Sequence, residues 1–514
     1  MGLHDRDGEL DDMSRQAIED KIGRIRGFIT ELEKIDKSQL SLNERVDLDV
    51  VKADFELTIR MHEQIDNPSI NPTIYPALGI YGVHSLFSRI SSPDESRIAA
   101  GTERLRKFRL LLRQGKENLK RPPRIFTEIA LDQIKGSCGF LMNSIPKIAE
   151  KASKGGEELL AANDDAIEAL TDYRSFLEEE ILPRSDGEFA IGRDLFELKL
   201  RLGHFLDLDL DTLLEIGKET LARTKDALAA AAANIDSTKS WQDVVENIKS
   251  EHPPADELKE TYQRYMQQAK QFVIDKGLVD IPDGEELRVI DTPEPWRPII
   301  PYAAYNMPGP YEKEQVGLFY VTPVGQDISA EAQEMILRDH SIPNIKVVAL
   351  HEAYPGHHLQ LVCANKWPDM LRHFFHNTVF VEGWALYCEE LMREQGFLSD
   401  TKSLILQLKA QLWRACRVVI DASIHTKQMS YEDGVKFLMD EALLAKPNAI
   451  AEVRRYTTTP TQPLSYLIGK AEILKLKKRV ESEMGPKFNL REFHNRLISF
   501  GSLPTKFIAE LILQ

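Results

Sequence analysis

Apolar residues recur at helical spacing over long stretches of the first 280 residues, and this pattern most constrains the fold. The spacing is clear in residues 46–65, 161–181 and 210–235. The last stretch contains a run of five alanines at 229–233, and alanine has the highest intrinsic helix propensity. The sequence therefore predicts a mainly α protein, with residues 1–280 as an N-terminal helical region.

Prolines are dense between residues 281 and 323, where the helical pattern stops. Short apolar runs at 287–290 and 317–321 are typical of strands, so we expect a small sheet here. A proline-rich connector on the surface is the alternative. Helical spacing returns at Ser329 and continues towards the end of the chain. Residues 281–514 are predicted to form a catalytic region that is continuous with the N-terminal region in one body.

Charge and composition exclude several classes of partner. The 514 residues carry a formal net charge of −16, which disfavours nucleic acid and anionic membrane surfaces. Apolar runs stay shorter than the ~20 residues of a membrane span, and the charged N-terminus lacks the apolar segment of a signal peptide. The four cysteines form no CxxC pair, which favours free thiols in a reducing compartment. We therefore expect a cytoplasmic protein that acts on a small molecule or a short peptide.

Residues 350–360, LHEAYPGHHLQ, contain three histidines and a glutamate within eight positions. Neutral imidazoles bind zinc, and a neighbouring carboxylate can take a proton from a water at such an ion. The segment predicts Zn²⁺ as cofactor, His351 as its first ligand and Glu352 as the general base. Histidines that are hydrogen-bonded in a core are the alternative. Asn344 is the expected N-cap of the helix that carries His351.

The spacing of these histidines departs from that of a regular zinc-binding helix. In the HExxH pattern two histidines four residues apart share one face, but the fourth residue after His351 is Pro355. On a regular helix, the ~100° turn per residue would rotate His357 away from His351. Because proline interrupts helical hydrogen bonding, a two-residue bulge at 353–355 would bring His357 back as the second ligand. A three-residue bulge would make His358 the ligand, and otherwise His358 assists catalysis near the ion or contacts substrate.

Two resemblances extend this interpretation. Residues 351–360 and 381–385 (VEGWA) resemble the signature of the family called domain of unknown function 885, and similar stretches follow at 417–421 and 462–470. More distantly, the chain resembles thimet oligopeptidase and neurolysin, helical zinc peptidases with HExGH on one helix and a glutamate ligand on a later one. In that pattern the glutamate follows the first histidine by about twenty-nine residues. Glu382 follows His351 by thirty-one, and the bulge requires the two extra residues.

The resemblance implies a large helical, bilobed, metallopeptidase-like fold with a deep cleft and a small β-sheet next to the active-site helix. It implies Glu382 as the third metal ligand, with a buried salt bridge as the alternative. It implies Tyr466 as a hydrogen-bond donor to the reacting carbonyl oxygen, with a packed tyrosine as the alternative. Glu389, two turns after Glu382, either orients a ligand histidine or is a solvated charge.

Three further residues, Arg417, His425 and Lys470, are assigned to substrate binding. Arg414 and Arg417 lie on one helix face and could bind a substrate carboxylate, since guanidinium groups fit carboxylates. A structural charge network that includes Arg414 and Asp421 is the alternative. The sequence thus predicts a zinc-dependent hydrolase that cleaves short peptides. The same site could instead cut another amide or an ester, or the protein could be a non-catalytic binding protein that retains the fold.

Overall fold

The computed structural model describes residues 2–88, 94–293, 297, 300, 302–325 and 328–513. Within these ranges the chain forms 23 α-helices and one three-stranded sheet, which confirms the mainly α prediction. The four cysteines are free thiols. Within the same ranges, no helix combines the length and apolar character needed to cross a membrane.

The first twelve helices precede the sheet, as the apolar spacing predicts. They are α1 (Arg15–Leu32), α2 (Leu42–Gln64), α3 (Asn67–Ile70), α4 (Ile74–Phe87), α5 (Glu95–Arg106), α6 (Phe108–Asn118), α7 (Arg124–Glu150), α8 (Gly156–Phe176), α9 (Arg193–Gly203), α10 (Leu210–Ala233), α11 (Trp241–Lys249) and α12 (Leu258–Lys276).

Local signals explain where several of these helices begin and end. Ser41 and Glu44 form a capping box in which each side chain accepts from the other residue's backbone N–H, and α2 begins there. Gly277 adopts a left-handed conformation (φ +59°) and ends α12, as C-terminal glycines commonly do. The helical pattern therefore stops just before the proline-dense segment.

The sheet lies where the sequence predicts it. Its strands are β1 (Glu286–Asp291), β2 (Ala303–Asn306) and β3 (Val316–Val321). The strand order is β1-β3-β2, with β1 parallel and β2 antiparallel to the central β3. Residues 294–296, 298, 299 and 301 of the predicted sheet region lie outside the described residues.

Eleven helices follow the sheet. They are α13 (Ala330–Asp339), α14 (Ile342–Glu352), α15 (His357–Ala364), α16 (Met370–Phe374), α17 (Thr378–Glu394), α18 (Thr401–His425), α19 (Tyr431–Ala442), α20 (Lys446–Thr458), α21 (Ser465–Met484), α22 (Leu490–Ser499) and α23 (Thr505–Ile512).

The start of α14 corrects one prediction. Asn344 is not the N-cap; the helix begins earlier, after Ser341, with Pro343 in its first turn. Proline is favoured there because its fixed φ suits the helix and its missing N–H would have no partner in that turn. The Asn344 side chain instead donates to the carbonyl of Asp339.

The main hydrophobic core joins residues from both sides of position 280. It includes Val46 of α2, Tyr262 of α12, Phe319 of β3 and Trp384 of α17. A separate cluster lies among α4 to α8, for example at Phe108. The helices that carry the histidine segment are therefore packed on both N-terminal and C-terminal elements.

Candidate metal centre

The histidine segment forms a wide turn between two helices. Helix α14 ends at Glu352 and α15 begins at His357, and the Tyr354–Pro355 peptide bond between them is cis. The backbone N–H of Gly356 donates to the carbonyl of Leu350 (3.1 Å), so this bond spans six residues. A regular α-helical bond spans four. The two extra residues predicted at 353–355 are thus accommodated by a complete break of the helix.

Glycine is required at position 356 by a close backbone approach. A Cβ built on Gly356 would lie 1.8 Å from the carbonyl oxygen of His351. The turn is also tied to α17, because the indole N–H of Trp384 donates to the carbonyl of Pro355 (2.8 Å). These contacts fix the start of α15 against the helix that carries Glu382.

A second glycine contact brings α21 against α17. A Cβ on Gly469 would lie 1.8 Å from the carbonyl oxygen of Val379, and a Cβ on Gly383 would lie 2.4 Å from the carbonyl carbon of Gly469. The two backbones approach so closely because neither helix has a side chain at the crossing. The crossing places Tyr466, in the first turn of α21, near Glu382 of α17.

The predicted ligands His351, His357 and Glu382 come together in space. One ligand atom from each lies within 4.8 Å of the others. The two imidazole rings are perpendicular, with centroids 4.8 Å apart, and His357 Nε2 lies 3.3 Å from Glu382 Oε2. His351 is buried and the other two are partly buried.

Negative charge accumulates around the two imidazoles. Burial acts to lower the pKa of His357, but the hydrogen bond and charge of Glu382, together with the charges of Glu352 and Glu389, outweigh it and raise that pKa. Burial acts to raise the pKa of Glu382, yet the hydrogen bond and charge of His357, with smaller contributions from other cations, lower it to about 2. The carboxylate is therefore ionised at neutral pH, as a metal ligand must be.

Glu389 orients His351, which resolves the two alternatives for this residue. Its side chain is 1% exposed, and its Oε1 accepts from His351 Nδ1 at 2.8 Å. With Nδ1–H donating to a carboxylate, the lone pair of Nε2 is left for a cation. Metal-binding histidines almost always donate their other ring N–H in this way, to a carboxylate, a backbone carbonyl or water.

Glu352 faces a cavity of about 620 Å³ that His351, Glu389 and Tyr466 also line. Its carboxylate has no hydrogen-bond or ion-pair partner among the residues that the structure describes. A buried or partly buried carboxylate is normally paired, so an unpaired one beside the histidine cluster is available for proton transfer.

Tyr466 and Arg417 form one wall of this cavity. The Arg417 guanidinium lies 4.5 Å from the centroid of the Tyr466 ring and also stacks on Trp413. It donates to Glu452 (3.0 Å) and to the Tyr456 hydroxyl (3.1 Å), so its charge is already compensated by protein groups. Burial raises the pKa of Tyr466, which keeps its phenol protonated and able to donate.

His358 does not join the cluster. Its ring is fully buried: Nε2–H donates to Glu285 (2.5 Å), and Nδ1 accepts from the Tyr305 hydroxyl (3.1 Å). Successive helical residues point ~100° apart, so when His357 faces the metal ligands its neighbour faces the sheet. Its assignment as a catalytic residue or alternative ligand is therefore corrected: both ring nitrogens are occupied by structural partners.

His425 and Lys470 also lie elsewhere. His425 is fully buried, donates to the carbonyl of Tyr456 (2.9 Å) and packs against Phe189. Lys470 is buried in an ion pair with Glu390. Neither is among the residues that line the cavity. The prediction that they bind substrate is therefore wrong, and of the three predicted substrate-binding residues only Arg417 reaches the cavity.

Glu285, which anchors α15 to the rest of the protein, was not predicted from any sequence motif. Its buried carboxylate accepts from His358, from the Tyr354 hydroxyl (2.6 Å) and from Lys270 (2.6 Å). Glu285 lies just before β1, sixty-six residues from His351, in a stretch without a recognisable motif. Only the tertiary fold brings it to the histidine segment.

Comparisons with known proteins identify the family and the fold. Two solved structures share the fold. A putative lipoprotein of unknown function from Shewanella oneidensis is 24% identical, with a TM-score of 0.84 over 100% of this chain and 95% of that one. A putative lipoprotein from Colwellia psychrerythraea is 18% identical, with a TM-score of 0.82 over 99% of this chain and 92% of that one. Curated proteins yield no match.

The model of one protein family, described as bacterial protein of unknown function (DUF885), matches residues 1–512. The match extends the resemblance seen in the C-terminal half to nearly the whole chain. The chain therefore belongs to the DUF885 family.

Proposed function

We propose that the protein is a zinc-dependent hydrolase that cleaves short peptides, with Glu352 as its general base. The observation that carries the proposal is the cluster of His351, His357 and Glu382 beside the unpaired carboxylate of Glu352. A structural cluster of histidines and carboxylates would have no need of a free acid facing a cavity.

The donor set fits zinc. Two imidazoles and one carboxylate form the usual protein ligand set of a catalytic zinc site, which keeps a further position open. The tautomer of His351 is fixed by Glu389, as such sites require. His357 Nε2 lies 3.3 Å from Glu382 Oε2, so this nitrogen and the carboxylate are placed to bind one ion together.

When bound, Zn²⁺ supplies Lewis acidity, because it lowers the pKa of a water molecule to ~7 and polarises a carbonyl oxygen. The Glu352 carboxylate takes the proton from the attacking water and delivers it to the leaving amine. The Tyr466 hydroxyl donates to the carbonyl oxygen as negative charge develops there. A donor of this kind typically contributes ~3 kcal/mol of transition-state stabilisation.

Short peptides suit the size of the cavity. About 620 Å³ accommodates a few residues and excludes a folded protein. A bilobed, metallopeptidase-like arrangement related to thimet oligopeptidase, with the cavity as its cleft, belongs to the same proposal. So does a cytoplasmic location.

The decisive experiment combines metal analysis with one isosteric substitution. The purified protein is expected to hold one zinc per chain, measured by plasma mass spectrometry, and to hydrolyse a mixture of short peptides followed by mass spectrometry. Glu352→Gln should retain zinc and lose at least ~100-fold of the turnover, the lower range for general acid–base catalysis. The matched control is Glu510→Gln, an exposed glutamate on α23, which should keep full turnover.

Full turnover by Glu352→Gln would eliminate the mechanism. A zinc-loaded protein that hydrolyses esters or other amides but no peptide would retain the site and change the substrate. A zinc-loaded protein without any hydrolytic activity would favour the binding protein.

A further inference from the structure

Two of the cations that line the cavity lack a carboxylate within hydrogen-bonding distance, whereas the others have one. Three of the cavity-lining cations form hydrogen-bonded or ion pairs: Lys249 and Arg338 with Glu246 (3.0 Å each), and Arg417 with Glu452 (3.0 Å). Lys409 and Arg414, both on α18, differ from these three.

Arg414 is held in place without being neutralised by a hydrogen-bonded acid. Its Nη1 donates to the carbonyl of Ala410 one turn earlier (3.2 Å), and its Nε is buried without a partner among the described residues. Its nearest carboxylate is Glu389, 3.8 Å from Nη2 and already accepting from His351. The side chain is only 14% exposed, so water compensates this charge poorly.

Lys409 lines the same cavity and has no hydrogen-bond or ion-pair partner in the described ranges. Burial lowers the pKa of its ammonium group to about 8; the charges of Lys249 and Arg414 also lower this pKa, and those of Asp339 and Glu246 act to raise it. The ammonium still carries most of its charge at neutral pH. A partly buried cation that no acid contacts directly indicates that an anion is the missing partner.

We infer that Lys409 and Arg414 form a subsite for a carboxylate of the peptide substrate, and this inference rests on the proposed peptide hydrolysis. Arg414 is one side chain away from the metal ligands, through Glu389 and His351. A carboxylate bound there lies close to the reacting carbonyl, so the subsite favours cleavage near a free C-terminus. An acidic side chain presents the same chemistry.

Binding can be measured without turnover by using the Glu352→Gln protein. Calorimetric titration compares a short peptide with a free C-terminus, the same peptide as its C-terminal amide, and an amide with one glutamate near its end. The free acid should bind at least ~10-fold more tightly than the plain amide, since a hydrogen bond to a charged group contributes this much. Tight binding of the glutamate amide would identify an acidic side chain as a further source of the carboxylate.

Added Lys409→Gln and Arg414→Gln substitutions should each remove most of that preference. The matched control is Lys402→Gln, which removes a charge from the same helix outside the cavity, where Lys402 pairs with Glu251. If Arg414→Gln fails to fold, judged by circular dichroism, Lys409→Gln alone still tests the subsite.

Equal affinity for the acid and both amides in the parent protein would overturn the subsite. A preference that survives both substitutions would overturn the assignment to Lys409 and Arg414. These results are independent of catalysis: hydrolysis of acids and amides at equal rates by the unmodified enzyme would leave the proposed function intact and remove only this inference.

Discussion

Two buried histidine–carboxylate pairs flank the turn at residues 353–356, and the two pairs have different roles. His351 donates to Glu389 at 2.8 Å and His358 donates to Glu285 at 2.5 Å. The second nitrogen of His358 is occupied by Tyr305, whereas His351 lies beside two further ligand groups and a cavity. The number of protein partners per ring therefore separates a structural histidine from one that can bind an ion, although burial is similar.

The largest expected difference follows from removing each histidine in turn. His351→Ala should lower zinc affinity by more than the ~10–100-fold that loss of a ligand's supporting partner costs. His358→Ala should keep zinc and lose ~1–3 kcal/mol of unfolding free energy, since the Glu285 carboxylate loses a buried donor. Zinc per chain after dialysis and urea unfolding measure the two effects. Loss of zinc from His358→Ala with retention in His351→Ala would reverse the comparison.

Alanine substitutions at two glycines compare the packing next to His351 with the packing next to His358. A Cβ at position 356 would meet the backbone oxygen of His351 at 1.8 Å, whereas one at Gly317 would meet side-chain atoms, with the His358 ring at 2.6 Å. Gly356→Ala should therefore cost about 3 kcal/mol, at the top of the range for overpacking, and release zinc. Gly317→Ala should cost about 1 kcal/mol and keep it. Equal losses of stability would show that the turn can open without penalty.

The pH dependence of the unfolding free energy should report on the pair of His358 and Glu285. Burial acts to raise the pKa of Glu285, but the hydrogen bonds from His358, Lys270 and Tyr354 lower it to about 2, below the ordinary value of 4.5. A lowered folded-state pKa gives stability that is present above pH 4.5 and is lost as pH falls from there to about 2.

Between pH 5 and pH 3 the chelator-treated protein should lose roughly 2 kcal/mol more unfolding free energy than Glu285→Gln does. Urea titrations at the two pH values measure the difference. A parallel loss in both proteins would show that other carboxyl groups dominate acid unfolding.

The smallest effect is expected from the carboxylate that orients His351. Glu389→Gln keeps an acceptor for Nδ1–H but removes the charge, so zinc affinity should fall about tenfold, the low end for supporting residues. Competition with a chromogenic chelator measures the affinity, and Glu285→Gln is the matched control with no expected change. An unaltered affinity in Glu389→Gln would leave His351 oriented by the turn alone.

Sequence reasoning found the three residues that cluster in space because the signals are local and their spacing along the chain is informative. Pro355 marks a break, and the thirty-one residues between His351 and Glu382 match a two-residue insertion. The structure brings these residues together through a wide turn with six-residue hydrogen bonds. The strands at 287–290 and 317–321 were predictable for the same reason, since apolar runs between prolines are local signals.

The predictions of substrate-binding residues that the structure contradicts share one cause. His425 was predicted to bind substrate, but it lies in a buried region away from the cavity, 3.9 Å from Asp421 one turn earlier. Lys470 follows Tyr466 by one turn, but it pairs with Glu390 and lies outside the cavity. Spacing along a helix shows which residues share a face and does not show what that face packs against.

The sequence by itself determined the helical class, the place of the sheet, the break at Pro355 and the residues able to hold an ion, because propensity, periodicity and ligand chemistry are properties of short segments. Only the tertiary structure decided that Glu389 supports His351, that Glu285 binds the second face of the turn through His358, and that Lys409 and Arg414 line the cavity without a hydrogen-bonded acid. Those facts depend on contacts between helices far apart in the chain. Such contacts are set by the packing of whole faces and by close crossings such as that of Gly383 with Gly469.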